Sequence, residues 1–180
     1  MFWGCSSLTS VVIPNSVISL GVNAFYKCSS LTNINYVGTI DEWVSIDFGN
    51  YYSNPTYYTK DLYINNTLVT KANITTATKI NTGAFYNCTS LKSVMIGDNV
   101  TSIGEWAFSH CNNLTSIEMS NSVTSIGNYA FLDCKSLTKI NYLGTKKEAM
   151  QLGIGNRSRK RWREGSAISK IICTDGVIEL

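Results

Sequence analysis

Histidine occurs once in this 180-residue sequence, at His110, and proline only twice. A lone histidine needs a marked nucleophile to build a triad or dyad, and no serine or cysteine near it stands out from the repeat described below. Catalysis is therefore not expected. Six cysteines are present, but none falls in the C-x-x-C spacing that metal sites favour, and no metal or other cofactor is expected. Charged residues make up only 15% and apolar residues 44%, which is too apolar for a disordered chain. No apolar run approaches the roughly 20 residues of a transmembrane helix, so no membrane span is expected. The first residues, MFWGCSSLTSVVIP, lack the charged start of a secretory signal. If the chain is a fragment, such a signal would lie upstream. The localisation stays open: surface or secreted for a fragment, cytoplasmic if Met1 is the native start.

What the sequence has is a period. CSSLTSVVIPNSVISLGVNAFYK (5–27), CTSLKSVMIGDNVTSIGEWAFSH (88–110) and CNNLTSIEMSNSVTSIGNYAFLD (111–133) align without gaps at 23 residues. Further copies start at Cys28 and Cys134 and break off. Residues 68–87 re-enter the frame through Ile74, Ile80, Ala84 and Phe85, one residue out of step near Thr75. A unit this short cannot bury its own apolar face, so neighbours must stack into a solenoid. The L-x-x-I-x-[IM] segment places apolar residues two apart, as one face of a short strand requires. Stacked units give a parallel sheet, V-x-S-I-G a second short strand closed by its glycine, and A-F-x-x-C a corner. Phe25, Phe85, Phe108 and Phe131 are expected to stack inward. Cys5, Cys28, Cys88, Cys111 and Cys134 share one frame position and read as buried thiols acting as small apolar groups.

This frame resembles the leucine-rich repeat of the BspA-like (Treponema pallidum type) family. The residues that carry the resemblance are Leu8, Ile13, Pro14, Val123, Thr124, Ile126, Gly127, Ala130, Phe131 and Cys134. The resemblance implies surface proteins of bacteria and protists that bind host matrix or other cells. That is an analogy at the level of the fold.

INYVGTIDEWVSIDFGN (34–50) and INYLGTKKEAMQLGIGN (140–156) interrupt the repeat. Thr39 with Glu42, and Thr145 with Glu148, read as capping boxes that open helices of about two turns. Gly49 and Gly155 are the expected left-handed stops. Asp41, Glu42 and Asp47 read as a solvated helix face. Each insert then leads to a hairpin, signalled strongly by Asp175-Gly176 and more weakly by Asn65-Asn66. The expected architecture is a single, mainly β repeat solenoid. It comprises repeats 1–37, a helix–loop–hairpin insert 38–67, repeats 68–143, and a C-terminal helix–hairpin cap 144–180. The N-terminal edge, Phe2-Trp3-Gly4-Cys5, is uncapped. Either the chain is cut from a longer protein, or that edge meets a partner or a second copy of itself.

Charge is uneven. Residues 1–143 carry a net −1 and residues 144–180 a net +4. Arg157, Arg159, Lys160, Arg161 and Arg163 surround Trp162. Such a loop can track phosphates while the indole stacks on a base, or grip an acidic protein or glycan surface. The matching loop of the first insert is uncharged and offers Tyr51, Tyr52, Tyr57 and Tyr58, which suit a protein contact. The sequence thus points to a non-enzymatic protein-binding solenoid, with bacterial surface adhesion as its role. The alternative is a small intracellular binder or inhibitor, encoded by a mobile element. It would engage a nucleic-acid-handling protein, or nucleic acid itself, through residues 157–163.

Overall fold

The computed structural model describes residues 2–155 and 161–180. The first part of the chain forms β1 (Ser10–Pro14), β2 (Ser19–Leu20), β3 (Asn33–Val37), α1 (Ile40–Ser45), β4 (Asp47–Phe48), α2 (Thr56–Thr59), β5 (Tyr63–Ile64) and β6 (Thr67–Leu68). There follow β7 (Lys71–Ile74), β8 (Lys79–Ile80), β9 (Ser93–Ile96), β10 (Ser102–Ile103), β11 (Ser116–Met119), β12 (Ser125–Ile126), β13 (Lys139–Tyr142), α3 (Lys146–Leu152), β14 (Lys170–Cys173) and β15 (Gly176–Glu179). Together they wind a mainly β solenoid.

The sequence period becomes strand register. Ser10 pairs with Asn33, Ser93 with Ser116 and Ser102 with Ser125, each a parallel step of 23 residues. Lys71 pairs with Ser93, a step of 22, whereas Lys79 pairs with Ser102, a step of 23. The missing residue therefore falls between β7 and β8, at the Thr75 slip. Inward positions form continuous buried columns, such as Val69–Leu91–Leu114–Leu137–Ile168 and Ala72–Val94–Ile117–Ile140–Ile171. Burying a side chain of this size contributes about 1.5–3 kcal/mol, so the columns hold the stack together.

The corner is built on two left-handed residues, one before A-F and one before the cysteine. Asn23 and Lys27, Gly83 and Asn87, Trp106 and His110, and Tyr129 and Asp133 all have φ between 55° and 65°. This shape turns the corner N–H groups toward the next coil. Phe85 donates to the Ala107 carbonyl at 2.7 Å, Phe108 to Ala130 at 2.8 Å, and Phe131 to Trp162 at 2.7 Å. The rings of Phe85, Phe108 and Phe131 stack at 5.3 and 5.2 Å. Phe25 does not join them and instead stacks on Phe2. The phenylalanine column is thus interrupted where the first insert passes.

Several local expectations change. Both capping boxes form, but the helices do not stop at Gly49 and Gly155. Helix α1 ends on extended Ile46, and α3 ends on left-handed Gly153 (φ 86°). Gly49 and its counterparts Gly104 and Gly127 serve close approach instead. A Cβ on Gly49 would lie 2.5 Å from the Val22 nitrogen, and one on Gly104 2.5 Å from the Thr82 nitrogen. Coil stacks on coil there without room for a side chain. The Asn65-Asn66 hairpin turn forms with φ of 49° and 62°, and both residues take the conformation that a tight two-residue turn demands. The second hairpin turns one residue earlier than expected, at Thr174-Asp175, with Gly176 already paired to Cys173.

The first insert stays within the stack. After α1 the chain returns as β4, which pairs with β2 through Ser19 and Asp47. One sheet runs β1-β3-β5-β6 and ends on the hairpin; a six-stranded sheet then starts at β7. Asp41, expected on a solvated face, holds this junction. Its Oδ1 accepts from the N–H groups of Thr75, Thr76 and Ala77 at 2.8–2.9 Å. The shortened segment between β7 and β8 is folded around that carboxylate. The first coil leaves Phe2, Trp3, Val12, Ile18 and Val22 exposed.

Asp41→Ala removes all three of these bonds and is expected to lower stability by about 2 kcal/mol, because charge-assisted bonds are the stronger kind. Asp41→Asn keeps a neutral acceptor and should cost about half as much. Urea midpoints of the two variants check this; equal midpoints to the wild type would show that the carboxylate holds nothing.

Candidate functional site

The loop that follows α1 does two things at once. Its inner side replaces a missing coil. Asn50 Oδ1 accepts from the Asn23 N–H at 3.2 Å, and the Tyr58 hydroxyl accepts from the Lys27 N–H at 2.7 Å. These are two of the three donors that the corner at 23–27 would give to a regular neighbour. On the other side, Trp43 Nε1 and Asn54 Nδ2 donate to the Ala84 carbonyl, and Thr56 Oγ1 donates to that of Tyr86. Side chains thus stand in for backbone donors in front of the corner at 83–87.

Its outer side is aromatic. Tyr52 packs edge-on to Tyr26 at 5.2 Å, and Tyr51 stacks on Tyr86 at 4.9 Å and meets Trp106 at 5.4 Å. Trp106 stacks on Tyr129 at 4.5 Å, and Tyr57 bridges Tyr52, Tyr58 and Tyr86. The band runs along the solenoid from the corner at 23–27 to the corner at 129–133. Three of the four predicted tyrosines, Tyr51, Tyr52 and Tyr57, lie in it and remain partly exposed. Tyr58 adjoins it, but its hydroxyl is committed to Lys27. Tyr26, Tyr86, Trp106 and Tyr129 were missed. They occupy variable frame positions far apart in sequence, and only the 23-residue register, applied column by column, brings them beside the loop.

The band resists ionisation. The side-chain hydrogen bond with Tyr52, then burial, pushes the Tyr51 phenol up to about 12; burial among the other phenols takes Tyr86 to about 12 as well. Burial also raises Tyr57. Trp106 and Tyr129 hold φ of 59° and 60°, where Asn23 and Gly83 stand in other coils. A bulky side chain in that region costs about 1–2 kcal/mol, whereas glycine adopts it freely. His110 lies at the edge of Tyr86 and 3.5 Å from Asp133. The adjacent Cys111 thiol is turned inward and donates to the Phe85 carbonyl.

The match to known proteins is to this repeat. A family model described as "BspA type Leucine rich repeat region (6 copies)" matches residues 1–62 and 56–151. The chain belongs to the BspA-type leucine-rich-repeat family. Repeats of this family are typically non-enzymatic binding scaffolds. A leucine-rich cell surface protein from Faecalibacterium prausnitzii A2-165 is similar in structure, with 25% identity and a TM-score of 0.48 over 81% of this chain and 35% of that one. The leucine-rich-repeat protein of T. pallidum is similar at 27% identity and a TM-score of 0.36, over 78% and 48%. The chain therefore spans less than half the length of either. None of the curated proteins compared matches it.

In this BspA-type chain only the end of the basic segment, from Arg161 on, is described. Arg157, Arg159 and Lys160 lie outside the described residues. Arg161 is exposed, but Trp162 is buried and packs edge-on against Phe131 at 5.9 Å. The carbonyls of Arg161, Trp162 and Glu164 accept from the N–H groups of Tyr129, Phe131 and Asp133. Trp162 closes the phenylalanine column, so it is not a free platform for a nucleic-acid base. Arg163 is half-buried and donates to the Ile168 carbonyl at 2.9 Å, and burial lowers its pKa. Small grooves of about 270 and 220 Å3 flank α1 and α3, lined by Tyr36 and Glu42 in one and by Tyr142 and Glu148 in the other. They are below the usual size of ligand pockets. Among the described residues, no three His, Cys, Asp or Glu side chains are placed to hold a metal ion, and no helix is long and apolar enough to cross a membrane.

The cysteine column is buried from Cys28 to Cys134, whereas Cys5 is exposed. Burial pushes the Cys88 thiol up to about 11 and Cys134 to about 12, and raises Cys111 well above its usual 9.0. The unfolded chain would release these protons near pH 9 while the native thiols keep them. Stability is therefore full below about pH 8 and falls as pH rises from 9 toward 11 or 12. The expected loss at pH 10 is about 1 kcal/mol per thiol. Urea midpoints between pH 8 and pH 10.5 check the slope, which should flatten when Cys88, Cys111 and Cys134 are all replaced by Ala.

Proposed function

We propose that this chain is a non-enzymatic module of surface adhesion that binds protein partners through the corner face of the solenoid, with Tyr51, Tyr52 and Tyr57 at the centre of the contact. The observation that carries this reading is the continuous, partly exposed aromatic band that the insert loop completes. Tyrosine and tryptophan bring large contact area at little conformational cost, and they are enriched where proteins bind proteins. The family supports the same reading, because its repeats serve as binding scaffolds. Surface localisation is part of the proposal and agrees with the cell-surface naming of one structural relative. The basic segment contributes charge at the far end, and with Trp162 buried it lacks the ring that would favour nucleic acid.

The test is biolayer interferometry of the purified chain against purified extracellular-matrix proteins, with the double variant Tyr52→Ser and Tyr57→Ser alongside. Binding of at least one matrix protein, reduced about tenfold or more in the double variant, is expected. Circular dichroism should show the variant folded. Binding that the double variant leaves intact would move the contact elsewhere, and no binding to any matrix protein would contradict the adhesion reading.

A further inference from the structure

The two grooves beside the insert helices are copies of one another. Asn15, Val17, Tyr36 and Glu42 line the one of about 270 Å3 beside α1. Asn121, Val123, Tyr142 and Glu148, each 106 residues further on, line the one of about 220 Å3 beside α3. Other positions of the inserts have drifted: Asp41 is matched by Lys147, Trp43 by Ala149 and Ser45 by Gln151. The coil at 88–110, which does not run on into an insert, carries Asp98 at the frame position of Asn15 and Asn121. The asparagine therefore goes with the insert helix, where an aspartate would oppose the glutamate.

Tyr36 is completely buried in the floor of the first groove, and its hydroxyl has no hydrogen-bond partner among the described residues. A buried hydroxyl in that state costs free energy until something bonds it. The glutamate lies beside the ring. A Cβ on Gly38 would meet both Glu42 Oε2 and Tyr36 Cε1 at 2.6 Å, and one on Gly144 would meet Tyr142 Cε1 at 2.6 Å and Glu148 Oε2 at 2.8 Å. The glycine of each G-T-x-x-E thus leaves room for a carboxylate at the edge of a phenol ring. Oε2 is used within the fold. In Glu42 it accepts from the Thr39 N–H at 2.7 Å and hydroxyl at 3.1 Å, and in Glu148 from those of Thr145 at 2.7 and 2.9 Å. Oε1 is what each carboxylate can offer a ligand.

That chemistry selects an occupant. The carboxylate excludes an anion. A guanidinium takes two carboxylate oxygens at once, and here one of them is engaged. A primary ammonium is a point charge with three donors, and the groove provides acceptors in the Glu42 carboxylate, the Tyr36 hydroxyl and the Asn15 amide carbonyl. The walls, Val17, Ile18 and Ile46, are apolar and suit an alkyl stem; Ile18 stands 79% exposed. The groove is too small for a cofactor and holds one long side chain.

We propose that the groove beside α1 takes a lysine side chain of a partner protein, and that the groove beside α3 is a weaker copy of it. Lys146 and Lys147 open α3 where Ile40 and Asp41 open α1, so the field at the second groove is less negative. The proposal does not rest on the aromatic band, which lies at the corners.

The probe is Nα-acetyl-lysine methylamide, titrated into the isotope-labelled full chain. Amide NMR shifts of Thr39 and Glu42 report one groove, and those of Thr145 and Glu148 the other. The norleucine and arginine counterparts and cadaverine serve as controls. The lysine probe should saturate the first groove with a Kd of about 1–10 mM, the arginine probe about threefold more weakly, and the norleucine probe not at all. Glu42→Gln keeps the capping box, which glutamine also closes, and should weaken lysine about tenfold in the first groove alone. Glu148→Gln should act on the second groove alone. Tyr36→Phe should weaken lysine about threefold while its melting temperature stays the same or rises, which a purely structural tyrosine would not do. The Tyr52→Ser and Tyr57→Ser variant should bind the probe as the wild type does, which separates this contact from the corner face. Any of four results would overturn the proposal: no saturable shift by about 50 mM lysine probe; equal binding of the norleucine probe; Glu42→Gln or Tyr36→Phe binding unchanged; or cadaverine binding about tenfold more tightly than the capped lysine, which would assign the groove to a free amine.

Discussion

Every corner of this solenoid turns its N–H groups toward the coil that follows, and each must find an acceptor there. That requirement comes from two left-handed residues per corner, and a buried donor left unpaired is costly. Where the repeat is regular, the next corner's carbonyls answer it: Phe85 meets Ala107, and Phe108 meets Ala130. Where it is irregular, something else must. The first insert answers with the Asn50 side chain and the Tyr58 hydroxyl, and the C-terminal segment with the carbonyls of Arg161, Trp162 and Glu164. Both departures from the repeat are therefore ends that have been closed.

The first closure also opens a new stack. Trp43, Asn54 and Thr56 present donors to the corner at 83–87, and Asp41 gathers the N–H groups between β7 and β8. The sheet that ends at β6 and the sheet that begins at β7 share no strand pairing, so α1 and its loop are the splice between them. Because the splice's inner surface is used for this, its outer surface is free to vary. The aromatic band lies there, and it reaches onto two regular coils where Trp106 and Tyr129 accept backbone strain.

The architecture was legible because a gapless period fixes register. Three copies at 23 residues translate directly into Ser93 facing Ser116 and Ser102 facing Ser125, and the slip at Thr75 into a local step of 22. The capping boxes were legible because they are local. Glycine roles were not: Gly49 follows a helix in sequence, yet its constraint is the backbone of Val22, a neighbour only in the stack. The place of Trp162 was hidden for a similar reason. Trp162 sits among cations in sequence, but in space it is the next ring after Phe131. The candidate surface was half legible. A run of tyrosines in one loop is visible, whereas Tyr86, Trp106 and Tyr129 join it only through tertiary register.

The central claim is that α1 and its loop couple two short solenoids into one cooperative stack. Native-state hydrogen exchange of the wild type and of Trp43→Phe, which removes the indole donor to Ala84, tests it most directly. The account predicts that the slowest amides of the β1-β3-β5-β6 sheet and of the six-stranded sheet open with free energies within about 1 kcal/mol of each other, and that both fall in the variant. A first sheet that opens at a clearly lower free energy, unchanged by Trp43→Phe, would show two independent units and contradict the account.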